Sequence, residues 1–370
     1  MAPPPPPPLM DDVIGEILLR LPSGDPASLF RASLVCKLWR GLLSDRAFLH
    51  RYRAFHRTPP VLGFFHDDLD GAHFVPLAGA RSSIADPEVY WCPLDCRHGH
   101  VLFNNLETPG LVVWDPITGD RQHLCQPMNQ FGEEYEFSTA AVLCASHGCD
   151  HLECRGGPYL VVFAGTDDFD YGHGLDDDDE EFSVVRASVY SSETGAWSKE
   201  VLADLGPITS GCEVMGSSLL ARDMIYFTLE EGERILEYDM VRHVLSVIDS
   251  PISAGNMILI KAEDGGGLGI AEVNEDRLQL WRWKIGPWHN GHWQRGRVIK
   301  LGMMISIATG NPSGSLDLVG FAEGTGSIFV RAEDGMFIIE LKPDRVRKVA
   351  KRGDLRIIHP FASFYTPGTN

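Results

Sequence analysis

Cys144, His147, Cys149, His151 and Cys154 fall within eleven residues, five soft ligands of the kind that hold zinc through thiolate and imidazole. Their spacing is not the usual Cys-x2-Cys, and no matching second pair stands out. A polar connector between two strands accounts for the segment as well, and no metal is expected. Cys92 and Cys96, with His98 and His100 close behind, are similarly irregular. The run Asp176-Asp177-Asp178-Asp179-Glu180-Glu181, preceded by Asp167, Asp168 and Asp170, offers oxygen ligands for a hard cation. Like charges at that density read first as a solvated, self-repelling loop. Gly265-Gly266-Gly267-Leu268-Gly269 lacks both the Lys-Ser/Thr ending and the Gly-x-Gly-x-x-Gly spacing of phosphate loops, so it reads as a turn. There is no Gly-x-Ser-x-Gly elbow and no His-Glu-x-x-His helix. No spacing singles out an acid/base pair either. No catalytic residue and no cofactor is therefore expected, although a ring of loops can assemble a site from distant parts of a chain.

The elements that must position these residues are mostly strands. Beyond Thr58-Pro59-Pro60 the chain breaks into short β-rich runs separated by Gly, Asp and Pro, such as Val61–Phe65, Gly99–Phe103, Leu111–Trp114 and Tyr159–Phe163. No long amphipathic helix is expected over 61–370. One phrase recurs: a strand ending in an aromatic or an acid, a tight turn, then another strand. It appears as VVWDPITGDRQHL, SVYSSETGAWSKEVL, ILEYDMVRHVLSV and FIIELKPDRVRKV, with LQLWRWKIGPWHNGHWQ as a longer-turned relative. Its anchors Trp114, Tyr190, Tyr238, Trp283 and Glu340 are separated by 76, 48, 45 and 57 residues. Propeller blades repeat at about 40–50 residues because each is one four-stranded sheet. Insertion explains the longest gap. The reading is an all-β propeller of about six blades, five to seven, with a stacked sandwich as the alternative. Ile357–Tyr365 is expected to pair with the strand near Phe64 and close the ring.

Residues 9–57 differ in kind. Val13, Ile14, Ile17, Leu18 and Leu21 share a helical face, acids open the helix at Asp11 and Asp12, and Pro22 ends it. Asp25-Pro26 marks a second start. Leu34, Val35, Leu38, Trp39, Leu42 and Leu43 make a third, wide apolar stripe. Three or four helices this short form a bundle too small to bury so much apolar surface, which normally calls for a second surface to cover it. Before them lies Pro3–Pro8, an extended and disordered leader over 1–8.

Of the 32 basic and 51 acidic residues, eight and five lie in residues 1–60, so that part is net +3 and the rest net −22. A body this negative releases few counterions on a phosphate backbone, so no nucleic acid is expected. The apolar runs are too short to span a bilayer, so no membrane is expected. The N-terminus does not read as a secretory signal. Eight cysteines in mostly apolar surroundings read as reduced thiols, hence a cytoplasmic or nuclear protein.

The order Leu9-Met10, Ile14, Ile17-Leu18, Leu21-Pro22, Leu29 and Val35-Cys36-Lys37-Leu38-Trp39, then Leu42–Asp45 and Phe48-Leu49, resembles the F-box. Met10 stands where that family usually has proline. The whole layout looks like plant F-box proteins, cereal ones especially, whose C-terminal regions are β-rich. The resemblance implies a helical module, residues 9–57, docked on the Skp-type adaptor of a cullin–RING ubiquitin ligase. It implies a receptor domain, residues 61–370, that recognises a protein target. The residues it assigns to the adaptor are Leu9, Ile14, Ile17, Leu18, Leu21, Pro22, Leu29, Val35 and Trp39, some of them to be shared with the bundle's own core. Aromatic residues of Trp281–Trp293 are candidates for a target surface or for strand packing. Rival readings are a glycan- or small-ligand-binding propeller, a metal-dependent or hydrolytic one, and an F-box protein acting outside a ligase.

Overall fold

The computed structural model describes residues 10–364 apart from 69–70, 78–83, 85–86, 89, 129–136, 153, 155, 168–181, 208–213, 230–231, 253–254, 264–265, 287–290, 311–313, 343, 351–354 and 356. The polyproline leader, Leu9, the acidic run 176–181 and Tyr365 thus lie outside the described residues.

Four helices come first: α1 (Asp11–Leu19), α2 (Pro26–Ser33), α3 (Lys37–Ser44) and α4 (Arg46–His56). Their starts follow local chemistry. Pro26 occupies the first turn of α2 behind Asp25, whose carboxylate accepts from the Ser28 hydroxyl at 2.7 Å. At α3 the Cys36 thiol caps the Trp39 amide at 3.5 Å, and at α4 the Asp45 carboxylate caps that of Phe48 at 2.9 Å. The Val-Cys-Lys-x-Trp phrase is therefore a helix start.

The strands follow. β1 (Val61–Asp68) and β2 (Gly71–Pro76) form a hairpin. Blade 2 holds β3 (Trp91–Arg97), β4 (His100–Asn105), β5 (Leu111–Trp114) and β6 (Arg121–Leu124). Blade 3 holds β7 (Phe137–Cys144), β8 (Tyr159–Asp167), β9 (Phe182–Ser191) and β10 (Ala196–Trp197), with β11 (Val201–Pro207) also on β9. Blade 4 is β12 (Val214–Ala221), β13 (Met224–Leu229), β14 (Arg234–Asp239) and β15 (Val244–Asp249). Blade 5 is β16 (Met257–Lys261), β17 (Leu268–Asn274), β18 (Arg277–Ile285) and β19 (Gly291–Ile299). A short helix, α5 (Leu301–Thr309), leads to blade 6: β20 (Leu316–Ala322), β21 (Ser327–Ala332), β22 (Gly335–Leu341) and β23 (Asp344–Ala350). Finally β24 (His359–Ala362) pairs antiparallel with β1, Phe64 opposite Pro360 and Phe65 opposite His359, which completes blade 1 and closes the ring as expected.

The protein is a six-bladed propeller behind a helical module, and no sandwich. Every anchor of the recurring phrase, Trp114, Tyr190, Tyr238, Trp283 and Glu340, sits on the third strand of its blade. The tight turn is visible at Asp239, whose carboxylate takes the amides of Val241 and Arg242 at 2.9 Å each, and at Asp115, which takes those of Ile117 and Thr118. Alternation decides the core. On β4 and β5, Val101, Phe103, Val112 and Trp114 pack toward blade 1, whereas Leu102, Leu111 and Val113 pack toward blade 3. Both faces of each blade are covered, which is why these strands read as unbroken apolar runs. The unforeseen element is α5. Leu301 and Ile305 wedge it between blades 5 and 6, and its nine residues carry too little periodicity to be noticed. Among the described residues no helix is long and apolar enough to cross a membrane.

Candidate functional site

On α1 two pairs spaced by four residues part company. Ile14 and Leu18 turn inward to Leu29, Leu43, Phe48 and Tyr52, while Val13 and Ile17 stay in solvent, Ile17 with 45% of its surface exposed. Of the assigned contact residues, Ile17, Pro22 and Val35 are exposed, and Leu21 and Trp39 are half-buried against the bundle. Ile14, Leu18 and Leu29 are the assigned residues shared with the bundle's own core, and Leu18 is wholly buried. A bundle this small must spend its best-placed apolar residues on itself. Met10, Phe30, Leu34 and Leu38, not among the assigned residues, are exposed as well. Phe30 and Leu34, four residues apart, were the available signal.

The other side of the module is sealed onto the ring. Phe364, just past β24, enters the helical core with its ring 6.3 Å from that of Tyr52, and Leu152 of the β7–β8 connection joins it. Tyr52 donates to the Leu21 carbonyl at 3.1 Å, and His56 meets that of Leu19 at 3.0 Å.

Beneath α4, at the end of the channel where the inner strands finish, lies a cavity of about 470 Å³. Its lining includes Arg53 and Arg57 from the helix side and Arg97, Lys261, Glu323 and His359 from the ring. Arg97 is its hub. Its guanidinium reaches Asp95 at 2.5 Å, Glu323 at 2.5 Å, and the hydroxyl and carbonyl of Ser218 at 2.8 and 2.7 Å. Asp95 also accepts the Val142 amide, and Glu323 accepts that of Leu220, each at 2.8 Å. Lys261 stands 3.3 Å from Glu323. Two cations and two carboxylates thus balance and join the inner strands of five blades. Burial pushes the Asp95 carboxyl up to about 6 against the pull of Arg97. Burial also raises Glu323, but Arg97 and Lys261 together outweigh it and hold that carboxyl below its usual value. Burial, seconded by Arg97, pushes His359 down to about 4, so it is neutral near pH 7. With both carboxylates committed to Arg97, the hub fixes blades rather than forming a free acid/base pair.

The Cys/His segment is more ordered than a polar connector requires. Cys144, Cys149, His151 and Cys154 bring one ligand atom each to within 4.8 Å of all the others, leaving His147 apart. The second group does not gather: Cys92 points its thiol to Asp67 at 3.6 Å, and Cys96 packs against the core between blades 1 and 2. Gly266 and Gly267 turn the chain between β16 and β17 as the sequence suggests, whereas Leu268 and Gly269 already belong to β17 and Gly265 lies outside the described residues. Trp281, Trp283 and Trp293 pack against the core between blades 4 and 5, and Trp281 and Trp293 donate to Glu272 and to the Asp249 carbonyl at 3.0 and 2.8 Å. That assigns them to strand packing.

Comparison with known proteins follows these two parts. The F-box domain model matches residues 9–51, and a model described as "F-box protein AT5G49610-like, beta-propeller" matches residues 93–368. None of the curated proteins matches the sequence. Solved structures give a distant likeness only. A chain of a nidogen/laminin complex is 11% identical, with 80% of this chain and 95% of that one covered and a TM-score of 0.39. The extracellular domain of the putative one component system BT4673 from B. thetaiotaomicron is also 11% identical, covering 80% and 37%, with a TM-score of 0.36. A luciferin-regenerating enzyme is 8% identical, covering 71% and 76%, at 0.37.

Proposed function

Because the chain belongs to the AT5G49610-like F-box proteins with a β-propeller, we propose that it is the substrate-recognition subunit of an SCF-type E3 ubiquitin ligase. The helices dock a Skp-type adaptor and, through it, a cullin–RING assembly, and the ring holds a protein target. The observation that carries this reading is the apolar surface of Met10, Val13, Ile17, Phe30, Leu34, Val35 and Leu38, exposed on a module whose other side is already sealed against the ring. The chain contributes no reacting group. Its part is proximity, since a target held at fixed distance from a charged E2 meets a raised local concentration of ubiquitin thioester. The junction through Phe364 and Leu152 is what fixes that distance. The helices cover one end of the channel, so targets approach the other end or the rim, and a ring body of net −22 favours one with a basic patch. We place this action in the cytosol or nucleus, on the sequence's scattered cysteines in apolar surroundings.

The cavity at the channel end favours a second reading, in which the ring binds a small polar ligand, because its volume falls in the range of small-molecule sites. Reconstitution separates the two. With adaptor, cullin and RING subunits, captured cellular proteins should be ubiquitinated with no added small molecule. An adaptor that fails to bind, or a complex that captures nothing until a ligand is supplied, overturns the first reading.

A further inference from the structure

We propose that Cys144, Cys149, His151 and Cys154 form a structural zinc site that clamps the β7–β8 connection to the helical module. The distances match the ion. With Zn–S near 2.3 Å and Zn–N near 2.0–2.1 Å, a tetrahedral centre sets sulfurs about 3.8 Å apart and sulfur to nitrogen about 3.5 Å. Cys149 Sγ lies 3.6 Å from Cys154 Sγ, and Cys154 Sγ lies 3.5 Å from His151 Nδ1. A disulfide would need about 2.05 Å, so the two thiols converge without bonding. Three thiolates and one imidazole favour zinc over the oxygen-seeking cations, and four protein ligands leave no position open for a reacting water.

The backbone is shaped for this gathering. Cys144 ends β7 opposite Tyr159 of β8, so one ligand rides on the rigid inner strand. The other three belong to the connection, where His151 itself adopts φ 57, a left-handed conformation uncommon outside glycine, with Gly148 and Gly156 at φ 67 and 65 on either side. Support behind the ligands is also in place. His98, in the two-residue turn of the β3–β4 hairpin, accepts the Cys144 amide on Nδ1 at 3.0 Å. Its ring stacks on that of His151 at 4.1 Å and 15°. Such outer contacts fix a ligating imidazole in orientation.

Position gives the site its purpose. Leu152, between two ligands, is the residue through which this connection enters the helical core. Coordination on both sides would hold it there. The irregular order Cys-x4-Cys-x-His-x2-Cys hides the site in sequence because a strand end, not a paired knuckle, supplies the first ligand.

The test uses the full chain purified in reductant without chelator. About one zinc per chain is expected by mass spectrometry of metals. Stripped protein should take one cobalt with the absorption of a tetrahedral thiolate centre, displaced by zinc. The double variant Cys149→Ser/Cys154→Ser should lose the metal, and His147→Ala should keep it. Chelation should speed amide exchange in α4 and around Leu152 at least about tenfold. Wild-type protein without zinc as purified and without a tetrahedral cobalt band overturns the site, whatever the variants' stability. Metal kept by the double variant, or a Cys149–Cys154 disulfide found in its place, does the same. Exchange unchanged by chelation overturns the clamp. None of these outcomes depends on whether an adaptor binds.

Discussion

Residues 10–57 leave eight large apolar side chains in solvent, and the far longer ring leaves ten among its described residues. The difference lies in how many sides each part can cover. A blade has a neighbour on both faces, so alternate residues of every strand find a core, and β24 removes the open edge that a linear stack would leave. The helical bundle has one inner surface. It fills that with Ile14, Leu18, Leu29, Leu43, Phe48 and Tyr52, turns one side to the ring, and leaves the rest bare. In the ring, exposed apolar residues are scattered in sequence; in the helices seven of the eight fall between Met10 and Leu38. Most of the ring's apolar residues are covered by its own chain, whereas the helices keep these seven exposed.

Arg97→Met should show the ring's self-sufficiency by breaking it. Removing the hub takes the paired cation from buried Asp95 and leaves Glu323 to Lys261 alone, a loss of about 3–5 kcal/mol, read as a lower midpoint in denaturant unfolding. A change below about 1 kcal/mol would mean that the hub is idle. The neighbours Leu18 and Ile17 sharpen the contrast within one helix. Leu18→Ala should cost about 2–5 kcal/mol, and Ile17→Ala about 0.5 or less, measured by thermal unfolding of the free protein. Equal losses would erase the division between inner and outer faces.

Acid should act chiefly through the ring. His359 is held near 4 against an ordinary 6.5, so the unfolded chain takes up its proton first. Its contribution is whole above 6.5 and is lost as pH falls toward 4, about 1.4 kcal/mol per pH unit and about 3 kcal/mol in all. Asp95, raised to about 6, works the other way between about 4 and 6, so stability from that carboxyl declines as pH rises. His359→Gln should therefore flatten the acid limb of the stability profile, and an unchanged limb would contradict the assignment. The smallest effect belongs to the surface pair Arg51–Glu16 at 2.7 Å, both partners about half exposed. Arg51→Ala should leave the unfolding midpoint almost unchanged, and the small shift should vanish in high salt.

Much of this architecture was legible. The recurring phrase marked the third strand of five blades because a turn containing Asp, Gly or Pro follows it each time, and the C-terminal apolar run had no partner but the strand near Phe64. What the sequence withheld was contact across distance. Arg97 serves partners 121 and 226 residues away, and no local pattern announces that. Which face of α1 is core depends on Leu29, Leu43, Phe48 and Tyr52, which come from three other helices. That is why Leu18 and Ile17 looked equivalent in sequence. The four-ligand cluster was concealed for the same reason, since its geometry is set by the end of β7 and the turn of a neighbouring blade.

The central claim concerns the bare helical face, and calorimetric titration of the full-length protein with a purified Skp-type adaptor tests it most directly. The wild type should bind one adaptor per chain. Ile17→Asp/Val35→Asp, which leaves the core residues untouched, should bind at least about tenfold more weakly with an unaltered unfolding midpoint. Wild-type protein that ignores the adaptor, or a double variant that binds it as well as the wild type, would contradict the account.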